Sequence, residues 1–234
     1  MPDTETAVSN HLLGALPPEE LSRLLSQAER RKFELFDVLA EADSRLEHAY
    51  FPEDAIISVV RPASGELVEA ATVGREGMAG FSVLFGTTFN TSKLTIQHAG
   101  EILTVPFASL NAALPELPVL RDLIGRYVLA FVDQVGQGAA CNARHSLEQR
   151  CAKWMLTARD RVDGESFTLT HAVLAQMLGV HRPGVTLAAS KLQKAGLIRY
   201  VRGRVTILDH AGLEGASCEC YAINREHFDR LLKG

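Results

Sequence analysis

The chain has 234 residues, 47% hydrophobic and 22% charged, with a formal net charge of −4. This is the composition of a globular protein long enough for two small domains, each able to bury a core. No apolar run is long enough to cross a bilayer, and MPDTETAVSN is polar and acidic, without a signal-peptide core. The four cysteines (Cys141, Cys151, Cys218, Cys220) lack the spacing of a secreted framework, so a reducing cytoplasm is the expected compartment.

Charge is split along the chain. Up to Glu116 there are 17 acidic against 8 basic residues, and beyond it 11 against 16. An acidic front and a basic back suggest that one half meets a polyanion and the other does not.

Residues Met1–Asn10 are expected to be disordered. From His11 to Arg30 the spacing of Leu12, Leu13, Leu16, Leu21, Leu24 and Leu25 predicts helix, restarted at Pro17–Pro18. Glu19 and Glu20 fall in that helix's first turn, where the dipole favours them. From Lys32 to Val105 short strands alternate with turns, including Tyr50–Pro52, Ala55–Val60, Leu67–Val73, Leu94–Gln97 and Ile102–Val105. Many short strands at regular spacing predict a β-sandwich or jelly roll. Gly74, Gly77 and Gly80 superficially suggest a phosphate loop, but no strand-to-helix setting supports one.

Leu117 to Ala143 reads as a long helix. Leu120, Ile124, Tyr127, Phe131 and Gln134 recur at alternating four- and three-residue steps, the spacing of a seam. The seam suits either a partner helix or the core of a single chain. Gly136, Gly138, Ala139 and Ala140 permit close helix approach or a hinge. His145–Asp160 is a second amphipathic helix with Leu147, Cys151, Trp154, Met155 and Ala158 inward, and Arg144, Arg150, Lys153, Arg159 and Arg161 read as solvated charge.

Thr168 to Arg204 carries the most information. Thr170 suits an N-cap, Ala172, Leu174, Ala175 and Leu178 form an apolar face, and Gly179 suits the helix end. His181 or Arg182 opens a second helix, with Pro183 in its first turn and Val185, Ala188, Ala189 and Leu192 inward, until Gly196. Leu197, Ile198 and Tyr200 start a strand, Gly203 turns it, and Val205 and Ile207 return. This is the pattern of a winged helix-turn-helix, whose second helix enters the DNA major groove. The stretch contains six Lys/Arg and no Asp or Glu, as a phosphate-binding face should.

GVHRPGVTLAASKLQKAGLIRY resembles the DNA-binding segment of the Crp/Fnr family of bacterial transcription regulators, and RGRVTILDHAGLEGASCECY resembles the wing and C-terminal extension of one branch. The resemblance implies an α+β protein: an N-terminal β jelly roll (double-stranded β-helix) over 1–116 in the sensor position, a dimerisation helix over 117–143, and a winged helix-turn-helix over 144–234. It implies a cytoplasmic homodimer that reads a palindromic operator in double-stranded DNA, with RNA polymerase a further partner. Leu120, Ile124, Tyr127 and Phe131 are the expected dimerisation residues. Arg182 is the base-reading candidate, since a guanidinium can bond guanine O6 and N7 in parallel. His181 stands beside it, Thr186 could touch a base edge or methyl, and Thr170, Lys191, Arg202 and Arg204 are phosphate candidates. Best-known members carry a Glu after this Arg and another Arg further along; here those positions are Pro183 and Leu187, so their operator sequence does not transfer.

The sensor half departs further. Where the family carries a Phe-Gly-Glu-like segment that holds a cyclic nucleotide's ribose, the chain reads GMAGFSVLFG from Gly77, with Met78 where an acid would help. The phosphate-binding Arg position holds Thr91, followed by Ser92. A cyclic phosphate needs a buried cation, so the effector pocket is read as degenerate and unable to take cyclic AMP.

No catalytic order, Cys/His pairing or metal spacing stands out, so neither enzyme activity nor a cofactor is expected. An iron–sulfur sensor lacks its N-terminal cysteines. The alternative is a small-ligand or haem sensor, with His48 or His98 the haem candidates, whose DNA binding needs an unidentified effector. The Cys218–Cys220 pair, with no nearby third ligand, is read as a poor zinc site and as buried small residues.

Overall fold

The computed structural model describes residues 8–63 and 65–233. The expectation of disorder for residues 1–7 lies outside them. The chain divides into two compact units: one holds the chain up to Val59, Thr72–Phe131 and the end from Phe228; the other holds Val60–Ala71 and Val132–His227. Among the described residues no helix is long and apolar enough to cross a membrane.

The first unit opens with α1 (His11–Gly14) and α2 (Pro18–Leu25). Asn10 is buried, not disordered: its Oδ1 caps α1 at Leu12 N and Leu13 N, and its Nδ2 donates to the carbonyls of Pro52 and Gly77. The helical stretch ends at Leu25, short of the expected Arg30, because Glu29–Phe33 forms β1 and pairs with a later strand.

The strands that follow are β2 (Val38–Ala40), β3 (Ser44–Arg45), β4 (His48–Pro52), β5 (Ile56–Ala63), β6 (Glu66–Val73), β7 (Phe89–Asn90), β8 (Lys93–His98) and β9 (Gly100–Pro106). They make sheets of order β1-β9-β4, β2-β8-β5-β6 and β3-β7. Strand β9 pairs antiparallel with both β1 and β4, which places Phe51 opposite Leu103 and Phe33 opposite Gly100. The two larger sheets bury Phe33, Phe51, Ile57, Leu94, Ile96, Ile102 and Val105 in one core. This is the jelly roll that the alternation predicts. Helix α3 (Phe107–Ala113) follows, contributing Phe107 and Leu110 to that core.

Helix α4 (Pro118–Arg144) runs for 27 residues. The side chain of Glu20 caps its start, accepting from Val119 N at 3.1 Å and Leu120 N at 3.0 Å. Leu120, Ile124 and Tyr127 are fully buried in the first unit's own core. The seam expected to face a partner is therefore a seam against the jelly roll, a correction that follows from burial. Phe131 is partly buried against the same core, and Gln134 is buried with Arg161 Nη2 at 3.3 Å from its Oε1. The apolar side chains that α4 leaves exposed are Leu129, Val132 and Val135.

The second unit contains α5 (Leu147–Arg159), β10 (Ser166–Thr168), α6 (His171–Leu178), α7 (Arg182–Lys194), β11 (Ile198–Val201), β12 (Arg204–Ile207), α8 (His210–Ala216) and α9 (Cys220–Lys233), which runs on into the first unit's closing stretch. Ser146 starts α5 with a capping box closed by Gln149. The basic residues on and around α5 are not uniformly solvated as expected. Arg161 is buried, Arg150 Nη2 donates to the Leu178 carbonyl at 2.5 Å, and Arg159 pairs with Glu165 at 2.8 Å. Helix α8 stops at Ala216. Ser217 turns extended there and its hydroxyl donates to the Glu214 carbonyl, competing with the helical ladder.

Candidate nucleic-acid interface

The site is built from local signals. Thr170 caps α6 by accepting from Val173 N at 3.1 Å. The buried face of α6 is Val173, Leu174, Ala175 and Met177, so Ala172 points outward, contrary to the expected set. Gly179 ends α6 with φ +61°, and Val180 N and Gly179 N return to the carbonyls of Ala175 and Gln176. That paired closure requires a left-handed residue, which glycine supplies without a Cβ clash.

Helix α7 begins at Arg182 with His181 as N-cap and Pro183 in the first turn. Its inner face is Val185, Ala188, Ala189 and Leu192, all buried as expected. A Cβ on Gly184 would meet Leu147 Cδ2 at 2.9 Å, so glycine allows α7 to lie close on α5. Ala195 caps the helix, and Gly196, at φ +77°, turns the chain so that Leu197 N reaches the Leu192 carbonyl. Strands β11 and β12 are joined by Arg202 (φ +49°) and Gly203 (φ +77°). Two successive positive φ values make the tight turn that matches strand twist. Strand β10 pairs on the other side of β12, completing a three-stranded wing.

The outward face of α7 presents His181, Arg182, Pro183, Thr186, Leu187, Gln193 and Lys194. Arg199, Arg202 and Arg204 are exposed on the wing. Arg204 Nη2 also lies 3.5 Å from the Ser166 carbonyl. Two candidates already have protein partners: Lys191 Nζ is 3.0 Å from Glu148 Oε2 on α5, and the Thr170 hydroxyl is engaged in its cap. Thr186 Oγ1 donates to the Arg182 carbonyl at 3.1 Å and lies 3.0 Å from His171 Nδ1. His171 packs on Tyr200, ring centroids 4.5 Å apart. Burial holds the His171 pKa below its ordinary value, and the nearby Arg182 charge adds to this. A neutral imidazole thus ties α6 to α7 behind the exposed face.

A family model described as the Crp-like helix-turn-helix domain matches residues 149–216. Over the rest of the chain the likeness is one of fold. The fold is shared by several solved regulators of low sequence identity. FixK2 from Bradyrhizobium japonicum superposes with a TM-score of 0.69 at 14% identity, over 82% of this chain and 98% of that one. A CRP-family transcriptional regulator from Thermus thermophilus gives 0.64 at 20%, over 81% and 99%. The c-di-GMP-responsive global regulator CLP of Xanthomonas campestris gives 0.61 at 14%, over 82% and 99%. No curated protein matches the sequence of the chain.

The residues expected in the effector pocket differ in burial. Met78 is fully buried in the first unit's core and Ser92 is buried, while Thr91 is exposed. A Cβ on Gly77 would lie 2.0 Å from Tyr127 Cε2, so the tyrosine ring occupies the space over that turn. Phe81, Phe131 and Phe228 surround the same ring at centroid distances of 5.1–6.2 Å among the four. Lys93, on the strand after Thr91 and Ser92, is paired with Glu41 at 3.0 Å.

One expectation for the C-terminal cysteines is overturned. Cys141 and His145 approach Cys218 and Cys220 so that one ligand atom from each lies within 4.8 Å of the others. The sequence hides this because 72 residues lie between His145 and Cys218; only the Cys-x-Cys spacing is local.

Proposed function

We propose that the chain is a sequence-specific DNA-binding transcription regulator that reads a two-fold operator as a homodimer. The observation that carries this reading is the acid-free exposed face of α7 and the wing, with Arg182, Lys194, Arg199, Arg202 and Arg204 all open to solvent. Helix α7 enters the major groove; Arg182 and Leu187 meet base edges, the latter suited to a thymine methyl. The wing arginines hold phosphates and set the salt dependence. Residues 144–234 supply this activity, 1–116 the former sensor, and 117–143 the helix between.

Dimerisation falls to the outer side of α4. Leu129, Val132, Gly136 and Ala139 are exposed or half-exposed at steps of three, four and three residues, which is the spacing that two such helices need to pack. The half-sites would then lie about 34 Å apart or a multiple of that.

The effector reading is that the cyclic-nucleotide site is closed. Tyr127 filling the space over Gly77 supports it, as does the pairing of Lys93 with Glu41. Selection of genomic DNA fragments by the purified protein, without ligand and at near-physiological salt, tests both parts. A symmetric motif, unchanged by cyclic AMP, is the expected result. A motif that emerges only with cyclic AMP refutes the closed site, and no motif under either condition refutes the reading of a protein that binds its operator without an effector.

A further inference from the structure

The second unit holds a buried group of side chains that the DNA-binding reading does not use. Cys141 sits on the last turns of α4 and His145 one turn on, its N–H bonded to the Cys141 carbonyl at 3.0 Å. Cys218 lies in the break between α8 and α9, and Cys220 is the first residue of α9. The three cysteines form a small buried cluster of their own.

The geometry fits one tetrahedral ion. Cys141 Sγ and Cys218 Sγ are 3.6 Å apart, and Cys220 Sγ is 3.5 Å from His145 Nδ1. With zinc–sulfur bonds of about 2.3 Å, the edge between two sulfurs of a tetrahedron is about 3.8 Å. The full span of 4.8 Å needs closing by only about 1 Å to match. An iron–sulfur cluster holds its cysteines around a core of several atoms, which this span cannot enclose. A disulfide needs sulfurs about 2.05 Å apart, far inside the observed contact.

The surroundings complete the argument. His145 turns Nδ1 toward the sulfurs and Nε2 toward Glu219 Oε1, at 3.2 Å. A carboxylate on the far nitrogen is the usual orienting partner of a metal-bound imidazole. Gln137 Nε2 donates to Cys220 Sγ at 3.0 Å, a bond that stabilises a thiolate.

We propose that Cys141, His145, Cys218 and Cys220 are the four ligands of a structural zinc ion. Three sulfurs and one imidazole select zinc over the hard cations, and four protein ligands leave no position for substrate. Binding releases the thiol protons to solvent and closes the end of α4 onto the α8–α9 break, both within the second unit. The site does not depend on whether the chain binds DNA.

The test uses the full-length protein from zinc-supplemented medium, with metal measured by plasma mass spectrometry after passage through EDTA. About one zinc per chain is expected. Cys141→Ser and Cys218→Ser should reduce it roughly tenfold or more, while Cys151→Ser, whose thiol lies elsewhere in the core, should not. Glu219→Ala should weaken affinity about 10–100-fold in chelator competition. If the cysteine variants fail to fold, cobalt titration of the unaltered apo protein decides: thiolate-to-cobalt charge transfer and tetrahedral d–d bands are expected. Absence of both zinc and the cobalt bands, zinc retained in folded Cys141 and Cys218 variants, or a Cys141–Cys218 disulfide in fresh protein would overturn the proposal.

Discussion

Tyr127 lies so tightly on Gly77 that a single added methyl would fall 2.0 Å from its ring. The ring is fully buried and cannot retreat outward, because Phe81, Phe131 and Phe228 flank it. Gly77→Ala should therefore destabilise the first unit by about 1–3 kcal/mol through overpacking. Urea denaturation followed by circular dichroism measures it, and an unchanged midpoint would mean that the ring moves freely. The same contact bears on the proposed closure of the effector site: Tyr127→Ala, if it folds, is the variant expected to make room for a small ligand.

Glu20 shows what remote contacts add. It was legible as a first-turn acid of α2, favoured by that helix's dipole. Its role as the cap of α4, a hundred positions on, was not. Glu20→Ala removes an anionic acceptor from two backbone donors and should cost about 0.5–2 kcal/mol. Glu20→Gln should recover part of this, since an amide oxygen still accepts. Equal losses for the two variants would show that the carboxylate's negative charge, which glutamine lacks, carries the whole effect.

The same division between local and remote signals separates what the sequence makes legible from what only the fold shows. From Thr170 to Ile207 the caps, the turn glycines and the inner face of α7 are legible because each signal acts within one turn, whereas the inner face of α6 buries Val173 and Met177 in place of the expected Ala172 and Leu178. Along α4, periodicity revealed an apolar seam but not its occupant. Leu120, Ile124 and Tyr127 could have met a second chain or the jelly roll, and only the fold brings the jelly roll to them. The Cys/His group was missed for the same reason: half of it lies at the end of α4 and half beyond the wing. The break at Ser217 was hidden because a serine is tolerated in a helix and only its actual hydrogen bond shows the interruption.

His171 gives a pH dependence with a definite sign. Its folded pKa is lowered, chiefly by burial and then by Arg182, from an ordinary value of 6.5. Below about pH 6.5 the unfolded chain binds the proton more readily. The stability that the neutral ring contributes is present above that pH and is lost as pH falls toward the folded value. The Tm difference between the native chain and His171→Gln should shrink between neutral and mildly acidic pH. A difference that grows on acidification would mean that the ring is stabilised in its charged form.

Base reading and phosphate binding separate by salt. Arg182→Ala should weaken operator binding by about 1–3 kcal/mol and relax preference at one base pair, with little change on random DNA. Arg202→Ala and Arg204→Ala should weaken binding to both DNAs alike, each reducing the slope of log affinity against log salt by about 1. Fluorescence anisotropy across a salt series distinguishes the two patterns. An Arg182 variant that loses affinity equally for operator and random DNA would be a phosphate contact, not a base reader.

The dimer prediction turns on which side of α4 is open. Leu129 and Val132 are each 59% exposed, whereas Leu120, Ile124 and Tyr127 are inaccessible. Two exposed branched side chains one helical turn apart are costly to leave in water, and a second copy of the helix would cover them. Leu129→Lys with Val132→Glu should leave the protomer folded, since neither residue is buried within it. It should also convert a dimer to a monomer in analytical ultracentrifugation. Operator affinity should fall with it, because a single half-site loses the gain from joint binding of two. A double variant that still sediments as a dimer would place the interface away from α4.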